Sequence, residues 1–395
     1  MLSTPFSPWP SYTPEEINAV SEVLASNRVN YWTGDVCRRF ERAFADYVGS
    51  RHAVALANGT LALDVALKAL GIGPGDEVVV TPRTFMASAS TVVTAGASPV
   101  FCDVDRDTQN ITAETIARVL SPRTRAIIPV HLAGMPCDMD PIMSLAREHG
   151  LAVIEDCAQA HGATYKGRSV GTIGHVGAWS FCQDKIMTTG GEGGMVTTDD
   201  EKLWSAMWSY KDHGKSWEAV HERRHPPGPR LVHDSFGTNW RMLEMQAAIG
   251  LVQLERMPEW TARRTQIADS IGQRLLRYRL IRLPEVPRFA RHAYYRLYAF
   301  IRPEHLAEGW SRDRVIDEIV ARGVPCMHGS QSEVYLERAF EQTPWRPTAR
   351  LPVARELGET GMAFFTHPTI TDAEIAKTCD VIDEVMSLAS APRGC

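Results

Sequence analysis

The sequence lacks long apolar runs, a cationic leader and any excess of positive charge. No stretch reaches the about 20 apolar residues that a membrane-spanning helix needs. The N-terminal residues MLSTPFSPWPSYTPEE have neither the cationic region nor the apolar core of a signal peptide. Lysine and arginine number 42 against 47 aspartates and glutamates, which gives a net charge of −5. The composition therefore indicates neither a nucleic-acid-binding nor a membrane protein.

Paired cysteine motifs are also missing. The eight cysteines are scattered along the chain without a C-x-x-C pair. We interpret them as reduced thiols of a cytoplasmic protein, because a disulfide framework or a zinc site would need regular spacing. No metal site is expected.

The alternation of helices and strands indicates an α/β fold. Continuous apolar runs are separated by helical segments: EVVVTP, RAIIPVHLAG and LAVIEDCAQ alternate with GTLALDVALKALGIGPGD and DPIMSLAREHG. Such a pattern predicts a mostly parallel sheet covered on both faces, a three-layer arrangement. The length of 395 residues exceeds one small domain. We expect a large domain over residues 1–255 and a smaller α+β domain over 256–395.

Local signals predict several finer features. Thr13 and Glu16 match a capping box at a helix start, followed by apolar positions on one helical face; these are Ile17, Val20, Val23 and Leu24. The Pro-rich segment 221–234 is expected to be a long loop. In the helical stretch that follows, Pro258 is expected to mark a bend or a break.

Polar residues follow apolar runs at three places, and ligands of parallel sheets bind at the carboxyl ends of strands. Asn58-Gly59-Thr60 opens a helix, and a helix N-terminus with a small, flexible entry suits a phosphate. Taken alone, this signal is more typical of an ordinary capped helix.

The other two places hold an aspartate and a lysine. Asp156 ends a strand that should be buried, where a carboxylate needs a cation or strong donors, although it could simply cap a turn. Lys185 follows an apolar segment and precedes the glycine run of KIMTTGGEGG. A desolvated lysine can form a Schiff base with an aldehyde, whereas a lone lysine is usually a surface residue.

Two phosphate-binding motifs can be tested on the string itself. A P-loop requires glycines before the lysine and Ser or Thr after it, but here the glycines follow Lys185 and Ile186 comes next. A dinucleotide fingerprint would need glycine at position 196, which is Val196. One ligand would instead use all three places: pyridoxal 5′-phosphate (PLP) carries a phosphate, an aldehyde, and a ring nitrogen that pairs with aspartate.

With these residues in place, the sequence resembles the DegT–StrS type of nucleotide-sugar aminotransferases, within the fold type I (aspartate aminotransferase) superfamily of PLP enzymes. The resemblance covers nearly the whole chain. It includes the stretches NYWTGDVCRRFERAFADYVG, ANGTLAL, GDEVVVTPRTFMASAS, GASPVFCDVD, VIEDCAQAHGATYKGRSVGTIGHVGAWSF, KIMTTGGEGGMVTT and GTNWRMLEMQAAIGLVQL. The glycine run is one residue longer than in many relatives. A histidine in place of the lysine marks a dehydrating subgroup, so Lys185 favours amination.

The resemblance implies catalytic and cofactor-binding roles. Lys185 would hold the cofactor aldehyde and shuttle protons, and Asp156 would pair with the pyridinium nitrogen. The remaining cofactor contacts would come from Gln159 at the ring hydroxyl, Gly59, Thr60 and Ser180 at the phosphate, Phe85 stacked on the ring, and Asn239 reaching the phosphate from the neighbouring subunit of a homodimer. The glycines of 190–194 would let substrate approach without a side-chain clash.

Candidates for substrate contacts are less sharply marked. A sugar diphosphate needs cations, for which Arg28 and the loop residues Arg223, Arg224 and Arg230 are available. A solvated charged loop is nevertheless the favoured interpretation, because exposed charges usually have no partner. Residues that could line a sugar pocket, or equally pack in the core, are Tyr31, Trp32, His328 and His367.

The expected activity follows from the resemblance. An amino acid, expected to be glutamate, would convert PLP to pyridoxamine phosphate, and the amine would pass to a nucleotide-linked keto-deoxysugar. The favoured acceptor is C4 of a UDP-2-acetamido-4-keto-6-deoxyhexose, for surface polysaccharide or glycan synthesis. The alternatives are a C3-keto sugar, a cyclitol ketone, or a non-catalytic regulatory protein with the same fold.

Overall fold

A computed structural model describes residues 4–392 of the chain. Its helices, numbered in chain order, are α1 (Pro14–Ala25), α2 (Val36–Val48), α3 (Gly59–Ala69), α4 (Ala87–Thr94), α5 (Ala113–Ala117), α6 (Met139–His149), α7 (Glu201–Tyr210), α8 (Trp217–His221), α9 (Glu244–Leu275), α10 (Arg312–Ala321), α11 (Pro352–Thr360) and α12 (Asp372–Ala389). Its strands are β1 (His52–Leu56), β2 (Glu77–Val80), β3 (Ser98–Phe101), β4 (Thr124–Ile128), β5 (Ala152–Asp156), β6 (Thr164–Tyr165), β7 (Arg168–Ser169), β8 (Val176–Ser180), β9 (Gly194–Thr198), β10 (Ile281–Arg282), β11 (Ala290–Arg291), β12 (Arg296–Ile301), β13 (Cys326–Met327) and β14 (Gly361–Phe365).

The central sheet has seven strands in the order β1-β9-β8-β5-β4-β2-β3. Strands β8, β5, β4, β2 and β3 pair in parallel, and only β9 runs antiparallel to both of its neighbours, β1 and β8. The expected α/β class with a mostly parallel sheet is confirmed. Because β9 is the one reversed strand, β1, β5 and β8 all end at the same edge.

Apolar side chains fill both faces of this sheet, which produces the three layers. On β1, Val54 and Leu56 pack with α3 and α7, whereas Ala53 and Ala55 pack with α2 and α9. This alternation follows from the two-residue period of a strand. The buried runs of Val, Ile and Ala therefore read as continuous apolar stretches in the sequence.

The C-terminal part is built on a four-stranded antiparallel sheet, in the order β10-β12-β14-β13. Its core packs against α10, α12 and the second half of α9. A further core joins this part to the large sheet, since Tyr298 and Phe300 of β12 pack with Val79 and Ile127. A short three-stranded sheet, β11-β6-β7, adds a second connection.

Several finer expectations meet a different outcome. Helix α9 runs through Pro258, so the expectation of a break there is wrong. The residues around Pro258 pack against the large domain, and such packing can hold a helix together despite one lost hydrogen bond.

On α1, Val23 is buried, but Ile17 and Leu24 are mostly exposed. The expected apolar face of α1 is thus not buried within one chain. Glu16 does accept a 2.9 Å hydrogen bond from the Thr13 backbone, as a capping box requires.

The expected domain boundary at residue 255 falls inside α9. Up to Trp260 this helix packs in the core of the large sheet, and from Ile267 it packs in the C-terminal core. The helix therefore belongs to both parts, and the division at 255/256 stays a prediction. Within residues 4–392, the apolar length needed to cross a bilayer is not reached by any helix.

Candidate active site

The three sequence signals meet at one edge of the central sheet. Leu56 at the end of β1 and Ser180 at the end of β8 both pair with Gly194, the first residue of β9. Asp156, at the end of β5, pairs with Ala178 of β8. The carboxyl ends of parallel strands thus bring together positions up to about 130 residues apart in the chain, as expected for this class of sheet.

A cavity of about 570 Å³ opens at this edge. Seven of the eight residues expected to bind the cofactor line it: Gly59, Thr60, Phe85, Asp156, Gln159, Ser180 and Lys185. The eighth, Asn239, is exposed and does not line the cavity of its own chain; its backbone pairs with Asp212. Its expected role from a neighbouring subunit stays a prediction.

Asp156 is a buried carboxylate without a cation at ion-pair distance among the described residues. Its Oδ2 accepts a 2.8 Å hydrogen bond from the Ser88 hydroxyl, and its Oδ1 accepts a 3.1 Å bond from the Ala158 backbone N–H. Burial raises the pKa of Asp156, and these two donors only partly oppose that rise. A cationic ring nitrogen in the cavity would supply the missing partner.

The neighbouring carboxylate, Glu155, points to the opposite face of the sheet and is fully satisfied. It accepts hydrogen bonds from His131 Nε2 at 3.0 Å and from the backbones of Gly171, Ile173 and Gly174 at 2.8, 2.8 and 2.6 Å. Burial opposes ionisation, yet these donors hold the pKa of Glu155 below its usual value. His131, Glu155 and Cys157 lie close enough to hold a metal ion, but the Glu155 oxygens are already occupied by these donors.

The start of α3 forms a cradle against β8. Asn58 caps the helix by accepting a 3.0 Å hydrogen bond from the Leu61 backbone, and the first-turn N–H groups of a helix have no intrahelical partner. A Cβ at Gly59 would lie only 2.5 Å from Cβ of Ser180. The backbone of α3 can therefore approach Ser180 only because residue 59 is glycine. Backbone donors and the hydroxyls of Thr60 and Ser180 together suit a phosphate.

Gln159 and Phe85 flank the middle of the cavity. Gln159 is held by its Oε1, which accepts a 2.8 Å hydrogen bond from the Ala133 backbone. Phe85 follows β2, lines the cavity and is 69% exposed. An aromatic ring presented at a cavity in this way can stack on a planar ligand.

Lys185 extends into the cavity from the loop after β8. Its side chain is 15% exposed, and its Nζ lies 3.7 Å from Asp184 Oδ1 and 5.1 Å from the centre of the Tyr295 ring. Trp9 donates a 2.8 Å hydrogen bond from its indole to the Lys185 carbonyl. Lys211 is buried more deeply but pairs with Glu41 and does not line the cavity. Position, rather than burial, thus distinguishes Lys185.

A second cavity of about 420 Å³ adjoins the first, between the large sheet and the C-terminal part. Phe85, Gln159, Asp184 and Lys185 line both cavities. Sequence reasoning missed Asp184, together with Tyr295 and Arg296, which lie at the start of β12. Tyr295 donates a hydrogen bond to Asp184, and the only local signal was a polar YYR run before an apolar strand.

The electrostatics of this cluster favour an ionised Asp184. Burial would raise the pKa of Asp184, but Lys185, the Tyr295 hydroxyl and Arg296 together lower it below its usual value. Burial raises the pKa of Tyr295, which therefore stays a neutral donor. Lys185, Arg296 and the Asp184 carboxylate consequently lie together at the second cavity, which we call the cleft.

The expected role of the glycines of 190–194 in clearing space for substrate stays a prediction. None of them lines either cavity. Gly190 and Gly191 have φ values of 88° and 120°, which disfavour other residues. A Cβ at Gly193 would lie 2.0 Å from Thr189 Oγ1, and one at Gly194 would lie 2.2 Å from the Asn58 carbonyl. The missing side chains of Gly193 and Gly194 thus permit close packing beside Thr189 and Asn58.

The expected substrate residues of the 28–35 loop do not lie at the cavities of their own chain. Tyr31 is buried, with its hydroxyl between Glu41 and Trp208 at 3.1 Å each, so within its own chain it packs in the core, and its contact with a sugar stays a prediction. Trp32 donates a 2.8 Å hydrogen bond to Asp212. Arg28 is exposed near Gly34 and Glu244.

The remaining candidates are also placed elsewhere. Arg230 donates to the Val220 carbonyl at 2.6 Å, and Arg223 pairs with Asp234 within the same long loop; Arg224 is exposed. His328 is exposed and lies 3.2 Å from Asp313. His367 is buried and stacked on Trp9, and burial lowers its pKa to about 3. None of these side chains lines the two cavities.

The residues that line the first cavity fit PLP. A buried carboxylate lacking a cation, a glycine-dependent helix N-terminus beside a hydroxyl, and a lysine lie around one space. These are the partners that a ring nitrogen, a phosphate and an aldehyde require.

The fold and the cavity define a PLP-dependent aminotransferase of fold type I. The DegT/DnrJ/EryC1/StrS aminotransferase family model matches residues 10–383, and the chain belongs to this family. The family's aminotransferases use PLP as cofactor. The resemblance seen in the sequence motifs is thereby confirmed.

Individual relatives give the same picture. A GDP-perosamine synthase from Caulobacter vibrioides is 40% identical over 363 residues, covering 90% of this chain and 92% of the relative. The spore coat polysaccharide biosynthesis protein SpsC of Bacillus subtilis is 45% identical over 255 residues, 64% of each chain. These homologues support a role in amino-sugar and polysaccharide synthesis.

Solved structures agree in fold and cofactor. An aminotransferase from Psychrobacter cryohalolentis is 61% identical, with a TM-score of 0.95 over 97% of this chain and 99% of the other. The Streptococcus pneumoniae protein Spr1654, described as a candidate sugar aminotransferase in its PLP form, is 26% identical, with a TM-score of 0.85 over 97% and 98% of the two chains.

Proposed function

We propose that the protein transfers an amino group from an amino acid, glutamate being the expected donor, to a nucleotide-linked keto-deoxysugar. The observation that carries the proposal is the position of Lys185 where two cavities meet. The first cavity is lined by residues that suit the cofactor, and the second is the cleft between the large sheet and the C-terminal part. The bound cofactor supplies the electron sink and carries the amino group between the two substrates. Lys185 is placed to move protons at the substrate carbon.

The proposed acceptor is C4 of the sugar. A UDP-linked 2-acetamido-4-keto-6-deoxyhexose is the acceptor expected from the sequence resemblance. A GDP-linked deoxysugar is the second candidate, because a relative 40% identical over 90% of the chain is named GDP-perosamine synthase. Both acceptors carry a nucleoside diphosphate, and the nucleotide base distinguishes them.

A panel of keto-sugars tests the acceptor. The holoenzyme is incubated with glutamate and with UDP- or GDP-linked 4-keto and 3-keto sugars, and the amino-sugar products are identified by mass spectrometry and NMR. Release of 2-oxoglutarate with one nucleotide series and amination at C4 is the expected result. Turnover confined to 3-keto sugars or to a cyclitol ketone would contradict the acceptor, and glutamate consumption by none of them would contradict the class of substrate.

We further propose a cytoplasmic homodimer with shared active sites. Large apolar side chains near the expected shared residue are exposed within one chain: Phe236 is 99% and Leu231 is 82% exposed, close in sequence to Asn239. A second copy would cover such surfaces. It could also bring the 28–35 loop and Arg230 to the partner's cleft, where a sugar diphosphate needs cations.

Mixing two inactive variants tests the shared site. Lys185→Ala and Asn239→Ala chains are purified separately, mixed, partly unfolded and refolded together. A mixed dimer would contain one site with both native residues, so activity should return to about a quarter of the wild-type level. Failure to regain activity, with both chains dimeric by light scattering, would contradict sharing through Asn239.

A further inference from the structure

Arg296 is a buried cation at the cleft whose hydrogen-bonding capacity is largely unused. It begins β12, opposite Phe365 of β14, and is 7% exposed. Within residues 4–392 its guanidinium makes one hydrogen bond, a 2.9 Å bond from Nη1 to the Tyr295 carbonyl. A guanidinium has five N–H donors, so four are free for other partners.

The carboxylate nearest to Arg296 forms only a long ion pair with it. Arg296 Nη2 lies 3.9 Å from Asp184 Oδ2, outside hydrogen-bonding distance, while Asp184 also faces Lys185 at 3.7 Å. One carboxylate is thus shared by two cations. A firm fork-to-fork contact between guanidinium and carboxylate is absent here, although Arg296 is suited to make one.

A second buried arginine adds to the positive charge. Arg264 is fully buried, and its Nε and Nη2 have no hydrogen-bond partner in the described part of the chain. Burial, and then the charge of Arg296, lower the pKa of Arg264 to about 9. The charge of Arg264 therefore adds to the positive potential around Arg296, which faces the second cavity, and this potential favours an anion there.

The lining of both cavities narrows the choice of ligand. Lys185 and Arg296 are the only cationic side chains that line either cavity among residues 4–392. Lys185 would be engaged by the cofactor aldehyde. An amino-acid donor carries an α-carboxylate on the same carbon as its reacting amine, so a cation must lie near Lys185, and Arg296 fulfils this condition through their shared neighbour Asp184.

We propose that Arg296 binds the α-carboxylate of the amino-acid donor in the cleft beside Lys185, displacing its loose contact with Asp184. The proposal rests on the aminotransferase function proposed above. The Tyr295 and Phe365 rings hold the guanidinium plane, with its central carbon 4.2 and 4.4 Å from their ring centres. When the keto-sugar occupies the cleft, no carboxylate is present, and Arg296 returns to Asp184.

The test separates donor binding from the reaction with the sugar. α-Methylglutamate has the carboxylates and the amine of glutamate but no hydrogen at Cα, so it binds without being transaminated. Its Kd is measured on the holoenzyme by calorimetry and by the change in visible absorbance. Arg296→Gln is expected to weaken binding about 10- to 100-fold, the loss typical of one charge-assisted contact. The Kd of Arg296→Lys should lie between those of the wild type and Arg296→Gln.

The control is Arg302→Gln, an exposed arginine that follows the same strand, and it should bind like the wild type. The second readout uses enzyme loaded with pyridoxamine phosphate and reacted with keto-sugar alone. Its rate should change less than about threefold in Arg296→Gln, because the sugar carries no α-carboxylate at this position.

The outcomes are distinguishable. Wild-type enzyme that binds and converts no amino acid would refute the aminotransferase function itself. An unchanged Kd in Arg296→Gln, alongside a functional wild type, would overturn the donor site only. Equal losses in both half-reactions would also overturn it, since they would show that Arg296 acts through Asp184 and Lys185. If Arg296→Gln fails to fold, a wild-type Kd in Arg296→Lys would overturn it as well.

Discussion

Two adjacent carboxylates on β5 should respond in opposite ways to loss of their charge. Asp156 faces the cofactor cavity and has two hydrogen-bond donors but no cation, whereas Glu155 faces away and has four donors. The substitutions Asp156→Asn and Glu155→Gln make the same charge change one residue apart. Each variant therefore controls for the other.

For the apoprotein at pH 7, Asp156→Asn is expected to raise the free energy of unfolding. The wild type buries an incompletely paired carboxylate, and relieving such a group is worth about 1–3 kcal/mol. Glu155→Gln should lower it by about 1–3 kcal/mol, because the amide nitrogen cannot accept and two of the four donors lose their acceptor. Thermal or urea unfolding of PLP-free protein measures both changes.

The pH dependence has a defined sign. The folded pKa of Asp156 is raised, so its ionisation destabilises the apoprotein as pH increases through the unfolded value of 3.8 towards the folded one. The folded pKa of Glu155 is lowered, so its contribution to stability is present above the unfolded value of 4.5 and is lost as pH falls through the folded pKa. Asp156→Asn should remove the first effect and Glu155→Gln the second.

Bound PLP should reverse the order of stability of the wild type and Asp156→Asn. In the wild type, the protonated ring nitrogen compensates Asp156, so PLP at about 100 times its Kd should stabilise the protein by about 2.7 kcal/mol. Asp156→Asn should gain less from the same PLP concentration and lose at least about 100-fold in turnover. The reasoning would be refuted if Asp156→Asn destabilised the apoprotein. It would also be refuted if PLP stabilised Asp156→Asn as much as it stabilises the wild type.

Three further predictions concern the surroundings of the cavity. Gly59→Ala places a Cβ 2.5 Å from Cβ of Ser180 and should weaken PLP binding at least about 10-fold, whereas Gly73→Ala, with its nearest atom at 3.7 Å, should not; equal PLP titrations of the two would contradict the cradle. Cys182 lines the cavity and is partly exposed, unlike the other six described cysteines, so peptide mapping after alkylation should find it labelled before them and protected by PLP; labelling unaffected by PLP would place the cofactor elsewhere. Trp9→Phe removes the 2.8 Å hydrogen bond to the Lys185 carbonyl and should lower the thermal stability of the holoenzyme by about 0.5–1.5 kcal/mol, and an unchanged melting curve would show that the contact contributes nothing.

The cofactor site could be predicted from the sequence because its residues lie next to strand ends. Asp156 and Ser180 terminate strands, and Gly59 follows one closely. The parallel order of the sheet then brings these positions together. Local patterns suffice here because the strand's end itself fixes where each residue lies.

The substrate cleft could not be predicted in this way. Tyr295 and Arg296 come about 110 residues after Lys185, from a different sheet, and only packing between the two parts brings them to Asp184. Tyr31 had the residue type of a sugar contact, but its hydroxyl is engaged by Glu41 and Trp208. The glycines after Lys185 suggested open space, whereas Gly194 allows a close contact with the Asn58 backbone that depends on β9 lying beside β1 and β8.

The most direct test of the account is to locate the covalent attachment of PLP. Borohydride reduction of the holoenzyme fixes the Schiff base, and peptide mass spectrometry then identifies the modified lysine. We expect the label on Lys185 alone and its loss, together with the visible absorbance, in Lys185→Ala. A label on Lys211, the more deeply buried lysine, or a colourless wild-type protein that takes up no PLP, would contradict it.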